Sequence, residues 1–564
     1  MANHTHKILK IVPFHQHAAS LLSKELKVSS LLAQLLINRN IKSVVDAKVF
    51  LDPSPKDMHD PYLFSGMHTA VELINKARKN KDKVMVFGDY DADGITSLAL
   101  LENTLKACGL DVCNYLPHRI KEGYGLTKNI LQTVKDNQVK LLITVDCGTS
   151  NHKEIEELKR NGISVIVTDH HEPSALALPV ADSIINPKVS GCGYPYRDLA
   201  GVGVAFKLCQ ALTKSHQLED LDLVALGTIA DSAPLTGENR IFAREGLERI
   251  SKTKRPGLVA LMESARCGAR KFNSTFVSFI LAPRINASGR MSTAETSLKL
   301  LMSKTIDEAA ELAKIIEGYN RDRQKVEARI MQEAEDLINR EINFKEHKVI
   351  VIAKDGWHQG VLGIVASKIA DKFYRPAIVI SLSEDICKGS ARSIRNFHLF
   401  NALLECRHHL DSFGGHAHAA GLTITKDSIE DFKRNINRLA HEKMTLEDLL
   451  PSLDVDMELS LSDLFEESVG ELERLEPFGM GNPEPLFYTK DLKLKGEPLT
   501  LQRETLKFWV TDGVVTHQAI GFGMSNFKES LMQARHFDLV YTPRIDTWRD
   551  DSSVILEVKD IFFR

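Results

Sequence analysis

The sequence predicts an α/β protein in three parts: a parallel, doubly wound sheet, a smaller α/β unit reached through a long helix, and a C-terminal β-barrel. Three observations lead there. Between Val84 and about Leu235, short apolar runs alternate with amphipathic helical stretches, the pattern of parallel strands linked by crossover helices. From Thr305 to Glu341 the chain is helical throughout, rich in Ala, Glu, Ile, Leu and Arg, with Gly318 its one weak point. A run this long suits a rod between domains. After Pro451 the pattern changes to period-two strands divided by turns.

The first strand, Val84–Phe87, is a short apolar run fit for burial on both faces, and Asp89, Asp91 and Asp93 follow it at alternate positions. Gly94 then lets the chain turn into the helical stretch ITSLALLENTLKACG. Three like charges in so short a span repel one another, and a divalent cation among them relieves that repulsion. A solvated Asp-rich turn is the plain alternative for this segment alone. The pattern recurs. DVCNYLP (Asp111–Pro117) is a further strand, KLLITVDCGTS ends in Asp146 and Gly148, and GISVIVTDHHEP ends in Asp169, His170 and His171. LDLVALGTIAD reads as an apolar helix or strand closing on Asp231. Strand carboxyl ends gather along one crevice of an open α/β sheet, so these segments should converge there. Carboxylates and imidazoles without thiolate suit Mn²⁺ or Mg²⁺, imidazole tilting the choice to Mn²⁺.

The second α/β unit begins with HKVIVIAKDGW, continues through a Gly-bearing helix and returns in RPAIVISL. Beyond Pro451 the strand candidates are LFYTKDLKLKG, TLKFWVTDG, VTHQAIGFG, FDLVYTPRI and SVILEVKDIFF, with one short helix around Ser525–Gln533. Five strands and one helix fit an OB-type barrel, with a generic β-sandwich as the alternative. Phe508, Trp509, Tyr541 and Trp548 are possible stacking platforms for bases, about half of which alternation should bury. The junction near Leu450 is polar and Pro-containing, so few contacts are expected across it.

In this order, DYDADG, DCG, DHH and GTIAD resemble the motifs of the DHH phosphoesterase superfamily. GGHAHAAG (Gly414–Gly421) resembles the signature of the DHHA1 domain that accompanies it. PRINASGRM, DGWHQGVLGIVASKIA and PFGMGNPEP are similar to one branch of the superfamily, bacterial exonucleases specific for single strands. The resemblance runs from about Val84 to the C-terminus, and the first few dozen residues carry no such motif. It implies an N-terminal extension and DHH domain over 1–304, a connecting helix over 305–344, a DHHA1 domain over 345–450 and an OB-like nucleic-acid-binding domain over 451–564.

It also implies roles. Two ions about 4 Å apart would share Asp146 as a bridge. Asp93, His170 and Asp231 would complete one shell, and Asp89 and Asp91 the other. His171 would contact the scissile phosphate or assist proton transfer, with Asp169 orienting a histidine. Arg119, Arg284, Asn286, Arg290 and Arg392 stand in expected loops and could hold phosphates, against the alternative of ordinary surface side chains. In the family, residues like Arg119, Arg290 and Ser390 hold a 5′-terminal phosphate. His416 could donate to a phosphate from a Gly-rich backbone, and WHQGVLG precedes a helix whose N–H groups could do likewise.

The implied activity is metal-dependent hydrolysis of single-stranded DNA from the 5′ end to mononucleotides, in recombination, repair and mismatch repair. Implied partners are a single-strand-binding protein and a helicase. Two alternatives stand beside it: a phosphodiesterase of short oligonucleotides or cyclic dinucleotides, and a catalytically inactive DNA-binding scaffold. The 564 residues predict several domains, and 43% hydrophobic and 26% charged residues are ordinary for a soluble protein. The net charge of −3 advertises no nucleic acid globally, so any cationic surface must be local. The 8 cysteines form no CxxC pair, which argues against zinc and disulfides and fits a reducing cytoplasm. No apolar signal core or membrane span is expected, and the chain is expected to be a monomer.

Overall fold

In the computed structural model, residues 7–127, 129–173, 178–266, 272–384, 386–546 and 553–564 are described. The chain opens with β1 (Ile8–Ile11) and the helices Gln16–Leu26, Ser30–Asn38 and Val44–Leu51. These were expected to extend the first domain. Instead β1 pairs in parallel with the strand Ser452–Val455. Leu32, Leu35 and Leu36 share one core with Phe487, Phe508 and Phe537 of the C-terminal barrel. The assignment of 1–304 to one unit is corrected accordingly: the apolar stripe of these helices is buried by the barrel.

The first sheet holds β2 (Lys83–Gly88), β3 (Asp111–Tyr115), β4 (Val139–Val145), β5 (Ser164–Thr168) and β6 (Ser183–Ile185), all parallel, in the order β3-β2-β4-β5-β6. Along β2, Val84 and Val86 enter one core while Met85 and Phe87 enter another on the opposite face. Burial on both faces explains the unbroken apolar run. The chain leaves β2 to form β3 on one side and β4 on the other, so the switch point lies between β2 and β4. Leu221–Ala230 is a helix, buried on all sides. Such a segment has no apolar face to betray its period, which is why helix and strand read alike in the sequence.

The helix Ile306–Glu341 is 36 residues long, and the Thr305 hydroxyl at its N-cap accepts from the Glu308 N–H. Ala309, Ala313 and Ile316 pack into the core of the first unit. Ile330, Ala334, Leu337 and Ile338 pack against the second. One rod thus fixes both. The second unit contains β7 (Ile350–Asp355), β8 (Ala377–Leu382), β9 (Cys387–Arg392), β10 (Ser412–Gly415) and β11 (Ala419–Ile424), ordered β10-β11-β9-β8-β7. The C-terminal unit contains β12 (Ser452–Val455), β13 (Met457–Glu458), β14 (Phe487–Leu501), β15 (Thr505–Thr511), β16 (Thr516–Gly521), β17 (Phe537–Asp546) and β18 (Ser553–Phe563). Strands β14 to β18 close into a barrel through the β14–β17 pairing. Phe508 and Tyr541 lie in its core and cannot stack on bases, whereas Trp509 is 44% exposed. Trp548 lies outside the described residues.

Candidate metal centre and its cationic margin

Strands β2, β4 and β5 are neighbours in register, Gly88 opposite Val145 and Val145 opposite Thr168. Their next residues, Asp89, Asp146 and Asp169, therefore emerge side by side at one edge. Asp146 adopts φ +59°, a left-handed conformation that Asp tolerates better than most residues. Two groups of candidate ligands form at this edge: Asp93, His170 and Asp231, and Asp89, Asp91 and Asp146. Asp146, His170 and His171 also lie within reach of one another. His170 Nε2 is 3.1 Å from Asp146 Oδ1 and 3.8 Å from Asp93 Oδ2, and its Nδ1 is 3.9 Å from Asp231 Oδ2. The helix Gly201–Thr213 aims its first N–H groups at Asp93, Gly201 N at 2.7 Å and Val202 N at 2.8 Å. Asp91 caps the helix Ala92–Ala107 through the Asp93 and Gly94 N–H groups.

The charge state of the cluster follows from crowding. Burial, then the charge of Asp91, pushes Asp93 up to about 7. Burial likewise raises Asp89, Asp146 and Asp231 well above the carboxylate range, with neighbouring aspartates adding to it. Asp89 Oδ1 and Asp146 Oδ1 are buried and accept no hydrogen bond. Buried carboxylate oxygens without donors call for a cation. Burial, reinforced by the charge of His171, pulls His170 down to about 3, leaving the neutral imidazole a metal ligand requires. These donors, oxygen and imidazole only, fit Mn²⁺ or Mg²⁺.

Asp169 is spent otherwise. Its carboxylate accepts from the Thr149 N–H (2.9 Å), the His170 N–H (2.7 Å) and His171 Nδ1 (2.8 Å). Burial opposes the charge on Asp169, but the hydrogen bond from His171 outweighs it and holds the carboxyl below its usual range. For His171, burial works against protonation, yet the Asp169 bond prevails and lifts it to about 9. The His416 ring lies nearly parallel to that of His171, with centroids 6.3 Å apart.

Beside the acids lies a cationic margin. Arg119 stacks over the Tyr90 ring at 4.7 Å, and Arg290 Nη1 donates to the Gly360 carbonyl at 3.1 Å. Burial, then the charge of Arg119, holds Arg290 down at about 9 and lowers Arg392. The helix Leu362–Phe373 starts here: a Cβ on Gly363 would meet Ser390 Oγ at 3.0 Å and Arg392 Nη2 at 3.9 Å. Guanidinium groups beside a helix N-terminus are the kind of donors that anions favour.

Three profiles match the chain: "DHH family, N-terminal domain" over 83–228, "DHHA1 domain" over 346–442 and "RecJ OB domain" over 455–560. The single-stranded-DNA-specific exonuclease RecJ of Bacillus subtilis is 39% identical over 542 residues, covering 96% of this chain and 69% of that one. The Escherichia coli RecJ is 36% identical over 485 residues, covering 81% of this chain and 82% of that one. The chain belongs to the RecJ family. A crystal structure of Thermus thermophilus RecJ with Mn²⁺ superposes with a TM-score of 0.84 at 29% identity, covering 98% of this chain and 79% of that one. A second Thermus RecJ structure, described with Mg²⁺, gives a TM-score of 0.80 at 27% identity, covering 99% of this chain and 78% of that one.

Not every expected residue of this RecJ-family chain stands free. Arg284, Asn286 and Arg290 lie on the helix Ala282–Met291, which Pro283 opens, rather than in a loop. Ser390 and Arg392 lie on β9. Arg284 donates through Nε to Glu317 of the long helix (2.8 Å) and through Nη1 to the Ile280 carbonyl (2.8 Å), so part of its guanidinium is spent on the frame. Asn286 Oδ1 accepts from the Ala92 N–H at 2.8 Å, so it steadies the acidic loop. The sequence reading missed Tyr124, whose hydroxyl lies 2.9 Å from His171 Nδ1 and donates to the Asp146 carbonyl at 3.2 Å. It also missed Lys388, whose ammonium donates to the Ile120 carbonyl (2.8 Å) and ties the second unit to the first. Gly201 left a readable signal in the Gly-rich GVGVAF: a Cβ there would lie 2.6 Å from Asp146 Oδ1.

Proposed function

We propose that this protein hydrolyses single-stranded DNA from its 5′ end to mononucleotides, in DNA recombination, repair and mismatch repair. The observation that carries the reading is the meeting of Asp89, Asp91, Asp93, Asp146, His170 and Asp231 at one sheet edge, with orphaned buried oxygens on Asp89 and Asp146. These residues would hold two divalent ions, which would supply charge neutralisation at the phosphate and activation of water. Asp146, which lies with Asp89 and Asp91 and also with His170, would be the ligand shared between them. His171, kept protonated by Asp169 at neutral pH, donates to the scissile phosphate or to the leaving oxygen. Arg119, Arg290, Arg392 and Ser390 hold the 5′-terminal phosphate, with His416 on the next phosphate along the strand. Gly414 and Gly421 have no atom within 4 Å of a Cβ position, which leaves room for the strand to approach the backbone.

Among the described residues no helix is long and apolar enough to cross a membrane. The protein works as a cytoplasmic monomer, on strands supplied by a helicase and covered by single-strand-binding protein. The test is a panel of end-labelled single-stranded DNA, a dinucleotide and a cyclic dinucleotide, each with Mn²⁺, Mg²⁺ or EDTA. Mononucleotide release from long DNA, dependent on metal, is expected. Preference for either dinucleotide would favour the small-substrate phosphodiesterase, and binding without cleavage the inactive scaffold.

A further inference from the structure

The segment Pro477–Pro485 stands out in the sequence, yet none of the chemistry above uses it. It forms a turn closed on itself, with Gly479 N to Asn482 O at 2.9 Å and Asn482 N to Gly479 O at 3.1 Å. Asn482 is fully buried; it donates to the Leu475 and Pro477 carbonyls (2.7 and 2.9 Å) and accepts from Arg39 Nε (2.6 Å). Arg240 of the first unit, 1% exposed, reaches across and donates to the carbonyls of Phe50, Leu475, Arg474, Glu476 and Pro477. The turn is therefore rigid and bolted to the first unit.

What it touches there is the loop that follows Asp231. The Met480 carbonyl accepts from Leu235 N at 2.7 Å. A Cβ on Gly479 would lie 2.7 Å from Leu235 Cδ1, and one on Gly481, at φ +73°, would lie 3.1 Å from Pro234 Cβ. From the other side the Pro234 carbonyl accepts from Asn239 Nδ2 (3.1 Å) and the Tyr196 hydroxyl (3.2 Å). Asn239 Nδ2 also donates to the Asp198 carbonyl at 2.5 Å, just ahead of the helix whose first N–H groups grip Asp93. The loop is held between the turn and the foot of that helix.

We infer that the Pro477–Pro485 turn is a positioning element for the metal centre, setting Asp231 against Asp93 and His170 and coupling the barrel to catalysis. The inference rests on the reading of Asp231 as a ligand. Misplacement of a site group by 1 Å can cost about a hundredfold in rate, so a close-packed brace matters there. The turn leads directly into β14, so displacement of the barrel reaches Asp231 through it.

The test is Gly479→Ala, whose methyl presses on Leu235, together with Gly479→Ala/Leu235→Ala, which makes room for it. Mn²⁺ binding to the metal-free full chain is followed by electron paramagnetic resonance, with kcat and KM on a short oligonucleotide and the thermal midpoint. The single variant should bind one of two ions about tenfold more weakly and lose kcat at unchanged KM, and the double variant should recover both, as coupled neighbours do. Wild-type affinity for both ions with a lowered thermal midpoint would overturn the inference, leaving the turn a stabilising contact only. If Gly479→Ala fails to fold, Gly481→Ala carries the same readouts against Pro234. Asp231→Asn is the control: if it keeps both ions at wild-type affinity, the ligand assignment falls rather than the brace.

Discussion

Replacing Asp146 by Asn tests the shared ligand while leaving shape almost untouched. The position has φ +59°, which Asn adopts as readily as Asp. The residue is 2% exposed and packs against Gly201, where an added Cβ would lie 2.6 Å from Oδ1, so an isosteric amide fits and a longer side chain does not. Among the described residues, the change removes the carboxylate that lies both with Asp89 and Asp91 and with His170 and His171. Two opposite effects follow. Without metal, one of several repelling acids is gone, and a relief of ~1 kcal/mol raises the thermal midpoint by roughly 2–4 °C for a domain of 150–250 residues. With metal, charge stabilisation at the phosphate collapses, and a loss of about 4 kcal/mol lowers the rate by roughly a thousandfold. The assay is release of labelled mononucleotide from single-stranded DNA at saturating Mn²⁺, beside thermal unfolding in EDTA. More than about a tenth of the wild-type rate, a barrier change below ~1.4 kcal/mol, would refute the shared-ligand reasoning.

Arg119→Ala/Arg290→Ala should abolish the preference for 5′-phosphorylated over 5′-hydroxyl substrates, read as the ratio of kcat/KM, while Mn²⁺ binding stays intact; an unchanged ratio would clear both arginines of that role. Asp93 titrates at about 7 when folded, above the ordinary carboxylate value of about 4, so the folded state holds the extra proton. The stability this contributes in EDTA is fully present below about pH 4 and is lost as pH rises to about 7, by up to ~1.4 kcal/mol per unit; urea titrations at pH 5 and 8 should show the decline and Mn²⁺ should reverse it. A chain ending at Leu450 strips Leu32, Leu35 and Leu36 of their core and β1 of its partner, and should aggregate on size exclusion. Removing residues 1–52 as well should restore solubility and give DNA binding with a shallower salt dependence.

The acidic edge was legible because every ligand except Asp231, which closes the buried helix Leu221–Ala230, follows a strand buried on both faces, where apolar runs and charges cannot be confused. The long helix was legible because nothing interrupts its pattern from Thr305 onward. The home of the N-terminal helices was not: Ile8 finds Ser452 by tertiary pairing, and no local signal records a partner so far along the chain. The expectation of few contacts at Leu450 failed for the same reason. Arg284 and Asn286 look like substrate residues in a string, and only Glu317 and the Ala92 N–H reveal that they also brace the frame. Tyr124 was passed over because a tyrosine between glycines reads as a turn residue until its hydroxyl is seen beside His171.

The most direct test of the central claim is to locate the ions by anomalous scattering from crystals of the protein grown with Mn²⁺. Two peaks are expected, one among Asp93, His170 and Asp231 and one between Asp89 and Asp91, with Asp146 bonded to both. A single peak, or ions bound away from Asp146, would contradict a two-ion exonuclease centre at this sheet edge.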